Sequence, residues 1–394
     1  MNHSARTHWM KERHQALVAE GNDWQLRSLE SASRPHSIVD GQEVIMLCSN
    51  NYLDLARHPA IVEAMVTTTR EFGAGSGSVR AIAGNMAIHE EVERAVAQFK
   101  GVEASLVFQT GFSVGSGFVP TLVGKEDAVI SDALNHGCMI DGIRLTKADR
   151  RVYAHNDIHE LEAHLRDTKQ ARRRLVLTDG VFSMDGDIAP LDVICELCEQ
   201  YDAMLYVDDA HGEGVMGEGG RGIVDHFGLQ GRVDFEAGTF SKAFGVVGGL
   251  VAGAEEVRLH ALNNSRTWLL SASHPPGVAA AQKAAIDVLE NEPEHHARLW
   301  SVTNRIRNAL QNLGFDTGDS VTPIIPIMCG ESDRAKAFSE GLYKRGVLAL
   351  PIVFPMVSRG KARVRCMMNA GLSDGDVEEV IRIMEEAGRD VGLI

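Results

Sequence analysis

The densest chemical signal in the chain is Val207-Asp208-Asp209-Ala210-His211-Gly212, where an apolar run delivers carboxylates and an imidazole to its carboxyl end. Adjacent strand residues point to opposite faces, so Asp208 and Asp209 cannot share one ion, and one of them faces a site alone. A metal centre would need a further ligand that this segment does not offer. Downstream, Gly238-Thr239-Phe240-Ser241-Lys242-Ala243-Phe244-Gly245 brings hydroxyls, small residues and one amine together. That combination suits a phosphate beside an aldehyde, with Lys242 as the Schiff-base amine.

Two upstream segments offer complementary parts. Phe108-Gln109-Thr110-Gly111-Phe112 follows an apolar run and opens a helix-like stretch, which places unpaired backbone amides where a phosphate docks. Asn135-His136-Gly137 follows Val129-Ile130-Ser131, and an imidazole there is placed to lie over an aromatic ring. Each feature alone reads as ordinary structure: a solvated lysine, a common strand-to-helix turn, a core histidine. Pyridoxal 5'-phosphate (PLP) needs an amine for its aldehyde, a carboxylate for its pyridine nitrogen and donors for its phosphate. All three are present at one expected sheet rim.

The elements that must position these residues follow from hydrophobic period. Strands are expected at 105–108, 128–131, 175–178, 204–208, 233–238 and 249–252, alternating with helical patterns such as 89–100 and 191–201. This predicts an α/β fold with a mainly parallel sheet, whose ligand crevice lies beyond the carboxyl ends of the strands. Asn156 is expected to cap a helix carrying Ile158, Leu161 and Leu165 inward, and Ser373 with Asp376 to cap the last one. After Glu292-Pro293 the texture changes to a long helix and Pro-containing strands. The division expected is an N-terminal segment at 1–57, a large domain at 58–292 and a smaller α+β domain at 293–394.

Composition excludes several classes. The formal charge of −15 argues against a general nucleic-acid surface, and Arg172-Arg173-Arg174 reads as a solvated strand entry. Six scattered cysteines do not make a disulfide framework, and Cys195 and Cys198 read as two core-facing helix residues rather than a metal or redox pair. No metal is expected. Neither an export signal over residues 1–21 nor a membrane-length apolar run is visible, so a cytoplasmic protein is expected.

Taken in order, Asn50-Asn51-Tyr52-Leu53, Ser78-Val79-Arg80-Ala81-Ile82-Ala83-Gly84-Asn85, and residues 132–136, 178–186, 207–212 and 238–245 resemble the α-oxoamine synthases over nearly the whole chain. That family has the PLP-dependent transferase fold type I. The resemblance implies that Lys242 carries PLP as a Schiff base and later acts as base, Asp208 pairs with the pyridine nitrogen, His136 stacks on the ring and His211 meets its phenolic oxygen. It also implies phosphate contacts from Thr110, Gly111 and Thr239, cofactor contacts from Phe112 and Ser183, and substrate contacts from Asn50, Arg27 and Arg365. Ser271 and Ser273 match a stretch that reaches a neighbouring subunit, so a homodimer with active sites at its interface is implied. The implied reaction joins an amino acid to an acyl-CoA thioester and releases CoA.

Within the family, Ser78-Val79-Arg80, Ser131-Asp132-Ala133-Leu134-Asn135-His136 and the segment 178–186 favour glycine and acetyl-CoA as substrates. Arg266-Thr267-Trp268-Leu269-Leu270 and Met367-Met368-Asn369-Ala370-Gly371 depart from that branch. The alternatives are longer acyl-CoA substrates, as in the 8-amino-7-oxononanoate synthase and serine palmitoyltransferase branches; Asp209 counts against the latter. Outside PLP chemistry, Gly73-Ala74-Gly75-Ser76-Gly77 offers a Rossmann-type phosphate loop, though no strand is expected before it.

Overall fold

Strands covered by helices on both faces carry apolar residues at every position rather than in alternation. The computed structural model, which describes residues 4–20 and 23–394, shows this in the central runs; residues 1–3, 21 and 22 of the N-terminal reading lie outside the described residues. In chain order the strands are β1 (His36–Val39), β2 (Gln42–Met46), β3 (Ala104–Phe108), β4 (Ala128–Asp132), β5 (Asp149–Tyr153), β6 (Arg174–Asp179) and β7 (Met204–Asp208). They continue with β8 (Phe235–Thr239), β9 (Gly249–Gly253), β10 (Ile324–Gly330), β11 (Val347–Leu348), β12 (Leu350–Ile352) and β13 (Ala362–Met367). The seven-stranded sheet has the order β3-β9-β8-β7-β6-β4-β5. Only β9 in it runs antiparallel to its neighbours, β3 and β8.

Period-two alternation sends successive residues of one strand into two different cores. Leu106 and Phe108 pack on one face with Val129, Leu175, Leu177 and Tyr206. Val107, Ile130, Val176, Leu205 and Val207 pack on the other. Six strand ends therefore point the same way along a sheet held rigid from both sides, and the loops that leave those ends carry the chemistry.

A second sheet, β10-β13-β12, is antiparallel throughout, and a third, β1-β2-β11, joins the two ends of the chain. Its register sets Ile45 opposite Val347 and Met46 opposite Leu348, a pairing across some three hundred residues that no local pattern announces.

One expectation, the cap at Asn156, needs correction. The helix Ile158–Asp167 is capped by Asp157, whose side chain accepts the Glu160 N–H at 3.0 Å. Asn156 instead sits at φ +56° and donates to Asp187 and the Ile188 carbonyl. The Gly73–Gly77 stretch follows the helix Pro59–Phe72 rather than a strand, so the Rossmann reading lacks its strand-to-helix setting. Ser373 caps the last helix, accepting the Asp376 N–H at 3.1 Å. Among the described residues, no helix is long and apolar enough to cross a membrane.

Candidate active site

A cavity of about 200 Å³ opens at the carboxyl ends of the parallel strands. Each side of it is built by a strand end. From β3 the chain passes through Thr110 into the helix Gly111–Leu122, whose first N–H groups have no partner within the helix. Thr110 caps that helix by accepting the Ser113 N–H at 3.1 Å. Gly111 lies so close to Thr239 that a β-carbon would stand 3.0 Å from the threonine's own. Thr110, Gly111, Phe112 and Thr239 thus form one corner of the cavity. The Thr239 hydroxyl is already engaged, donating to the Gly248 carbonyl at 2.6 Å and accepting the Ser241 N–H at 3.1 Å.

From β4 the chain reaches His136, at the start of the helix Gly137–Arg144. Its Nδ1 accepts the Cys138 N–H at 3.3 Å, and its own backbone N–H donates to Asp179 at 3.2 Å. Burial, the largest influence, lowers its pKa, so the ring is neutral. β7 ends at Asp208, which faces the cavity, while Asp209 turns to the opposite side and meets Lys100. Asp208 is buried; Oδ1 accepts the Ala210 N–H at 3.1 Å and Oδ2 lies 3.5 Å from the Cys138 thiol. Among the described residues it forms no ion pair.

Lys242 follows β8 and reaches into the same space. Withdrawal from water is the main reason its pKa is brought down to about 8, against the pull of Asp208 and Asp179. His211 is held well below the ordinary histidine value by burial, reinforced by Lys242 and Arg365. Ser183 closes the far wall, and its carbonyl accepts from Arg365 at 2.8 Å. Arg363, two residues back on the same face of β13, donates to the Met184 carbonyl at 3.2 Å and pairs with Asp185. The two arginines therefore grip the loop that carries Ser183.

Nine of the cofactor-contact residues read from the sequence line this one cavity. The others do not. Ser273 bonds Ser76 at 2.6 Å and Ser271 lies beside Trp268, both away from the lining. Arg27 is paired with Asp40 at 2.9 Å and stacks over Tyr343. Asn50 has a buried side-chain oxygen with no hydrogen-bond partner. Trp268 is buried packing, its indole N–H donating to the Val107 carbonyl at 3.1 Å.

Cys138 and Asp179, which no sequence motif singled out for a role, also line the cavity, together with Ser241 beside Lys242. Asp179 closes β6 as Asp208 closes β7, although Thr178 comes before it as the first polar residue after the apolar run. Desolvation, with Asp208 nearby, raises the Asp179 carboxyl well above the usual range. His136, Cys138 and Asp208 also stand close enough together to hold a metal ion, as do His58, Glu292 and His295 outside the cavity. In the second group both imidazoles already hydrogen-bond the Glu292 carboxylate, at 3.2 and 3.3 Å.

Residues 42–384 match the family model described as aminotransferase class I and II. The 8-amino-7-oxononanoate synthase of Symbiobacterium thermophilum is 50% identical, over 99% of this chain and 100% of its own length. The 8-amino-7-oxononanoate synthase 1 of Bacillus subtilis is 48% identical over 96% of each. Among solved structures, serine palmitoyltransferase from Sphingomonas wittichii superposes with a TM-score of 0.93 at 31% identity, and a structure of SPT with its PLP internal aldimine with 0.94 at 30%. Both cover 100% of this chain and of their own.

Proposed function

The chain belongs to the aminotransferase class I and II family and, within it, to the PLP-dependent α-oxoamine synthases, and from that premise we propose that it condenses an amino acid with an acyl-CoA thioester, releasing CoA. The observation that carries the reading is the placement of Lys242, Asp208 and His136 around one cavity.

The residues fit the cofactor. Asp208 is a buried carboxylate with no ion pair in contact among the described residues, and a protonated pyridine nitrogen would supply one. Lys242, brought down to about 8, keeps a neutral fraction near physiological pH that an ordinary lysine lacks, and so can hold an aldehyde. The corner at Thr110, Gly111 and Thr239, with the free N–H groups of a helix N-terminus, suits the phosphate. When bound, PLP supplies an electron sink for the charge left at the substrate's α-carbon.

The chain's own residues do the rest. Asp208 would keep the ring nitrogen protonated, and His136, neutral and held by the Cys138 N–H, would cover one face of the ring. His211 donates to the phenolic oxygen. Lys242 would hold the cofactor's aldehyde and, whenever its amine is free, would take the substrate's α-proton and later return it. Arg365 exchanges its Ser183 carbonyl for the substrate carboxylate, a planar acceptor that suits its fork. Ser183 and Phe112 complete the cofactor walls, Asn50 and Arg27 serve the substrate side, and Ser271 and Ser273 reach the site of a second subunit in a homodimer.

For the substrates, the comparisons do not support glycine with acetyl-CoA; they support the pimeloyl-type alternative. An 8-amino-7-oxononanoate, cut between its keto and amino carbons, leaves a seven-carbon dicarboxylic acyl group and the fragment that alanine gives after losing its carboxylate. We therefore assign alanine and a pimeloyl thioester. A thiol-release assay with glycine, alanine and serine against acetyl-, pimeloyl- and palmitoyl-CoA tests this. Fastest release with alanine and pimeloyl-CoA is expected; fastest release with serine and palmitoyl-CoA would move the chain to the other branch.

A further inference from the structure

Behind the cavity wall, four ionisable side chains meet with almost no solvent. Lys100 is 1% exposed, Asp209 0%, Glu213 1% and Glu236 2%. The ammonium lies 3.3 Å from Asp209, 3.5 Å from Glu213 and 3.0 Å from Glu236, and it donates to the Arg221 carbonyl at 3.0 Å. One cation faces three acids. Fully ionised, the group would bury two uncompensated negative charges, far more costly than holding protons. Two of the acids carry an oxygen, Asp209 Oδ1 and Glu213 Oε1, that is buried without a hydrogen-bond partner. Burial is the leading cause that raises Asp209 to about 7 and Glu213 to about 8.

The elements that contribute to the cluster are the ones that build the cavity. Asp209 directly follows Asp208, and Glu236 lies on β8. Asp209 also accepts the Ile223 N–H at 2.9 Å. Glu213 accepts the Thr239 N–H at 3.0 Å. Its carboxylate lies flat against Gly238, where a β-carbon would stand 2.1 Å from one of its oxygens. Lys100 closes the helix Ala87–Lys100 onto all of them.

We infer that Lys100 is a positioning residue for the cofactor site: with Asp209, Glu213 and Glu236 it forms a proton-sharing cluster that fixes the ends of β7 and β8, and hence Asp208 and Thr239, relative to Lys242. The inference rests on the PLP reading above. Its consequence is that cofactor affinity depends on a group that never touches the cavity, and that the cluster's protonation is felt at the phosphate corner through the Glu213 to Thr239 hydrogen bond.

The test uses the full-length chain stripped of cofactor, with Lys100→Met and Glu213→Gln. PLP affinity is read from the visible absorption that appears on titration, and the shared proton from the infrared carboxylic-acid band of the unloaded protein. Lys100→Met is expected to bind PLP about tenfold more weakly or worse. Glu213→Gln keeps a carbonyl for the Thr239 N–H; it is expected to lose part of the infrared band and to flatten the dependence of affinity on pH between 6 and 9. A folded Lys100→Met with wild-type affinity would overturn the inference, as would an unloaded wild type without a carboxylic-acid band at neutral pH. If Lys100→Met does not fold, an unaltered pH dependence in Glu213→Gln decides against it. A wild type that takes up no PLP defeats the reading beneath, while the infrared band still reports on the proton.

Discussion

The Tyr52 hydroxyl lies 2.8 Å from Nδ1 of His211, and both side chains are buried. Burial raises the tyrosine pKa and lowers that of the histidine, so a neutral phenol meets a neutral imidazole. Among the described residues no other bond holds the phenol, so the hydroxyl donates to Nδ1, since the reverse direction would strand the buried phenolic proton. The tautomer that remains carries its proton on Nε2. Tyr52 thus sets which His211 nitrogen can donate to the cofactor.

Tyr52→Phe removes that constraint with little change in packing. The expected result is a loss of about tenfold in kcat/KM, the scale of one buried hydrogen bond, with unfolding midpoint and cofactor content nearly preserved. Steady-state rates of CoA release measure the first and cofactor absorbance the second. Wild-type rates would show that Tyr52 is packing only.

Lys242 predicts a pH dependence with a definite sign. In the unloaded chain its amine titrates near 8, and only the neutral form attacks an aldehyde. The rate of PLP uptake should rise about tenfold per pH unit below 8 and level off above it. Stopped-flow absorbance after mixing measures this, and Lys242→Ala should show no covalent phase at any pH. A rate that still climbs about tenfold per pH unit from 8 to 9 would contradict the lowered value.

The rim chemistry was legible because strand ends announce themselves: an apolar run ending in a carboxylate marked Asp208, and His136 and Lys242, in short segments after other expected strands, supplied the remaining parts that one cofactor needs. What lay beyond reading was non-local. Lys100 is a common helix-terminal residue until helix, β7 and β8 close around it, and the pairing of Ile45 with Val347 has no sequence signature. Asp179 belongs to a different kind of miss. It ends its strand as Asp208 does, but Thr178 before it breaks the plain pattern of an apolar run ending in a carboxylate. Substrate choice was read from short motif likenesses, and those do not encode the acyl chain.

Gly245 follows Lys242 by three residues at φ +70°, and a β-carbon there would stand 2.5 Å from the Ala56 backbone nitrogen. Both the left-handed conformation and the close approach require glycine. Gly245→Ala should cost about 3 kcal/mol from strain and overpacking combined. Urea unfolding should show the midpoint fall, with cofactor absorbance lost at lower urea than in wild type. An unmoved midpoint would mean that the Ala56 segment gives way freely.

His155 stands between two carboxylates, 3.1 Å from Asp132 and 2.7 Å from Asp187, with its ring edge-on to Phe182. Burial works against its charge, but the two hydrogen bonds outweigh it and raise the pKa from 6.5 to about 10. The clamp matters to the site because Asp187 and Phe182 flank Ser183, the residue the loop brings to the cavity. A raised folded-state pKa means that the stabilisation is fully present below pH 6.5 and is lost as pH climbs through 10. His155→Gln should therefore be less stable than wild type by about 2 kcal/mol at pH 6, on the scale of a partly exposed ion pair with two partners. The deficit should narrow steadily above neutrality and nearly close above pH 10. Urea unfolding of both proteins at matched pH values measures the difference, and a deficit constant from pH 6 to 10 would show that His155 acts by shape and neutral hydrogen bonds rather than as a cation.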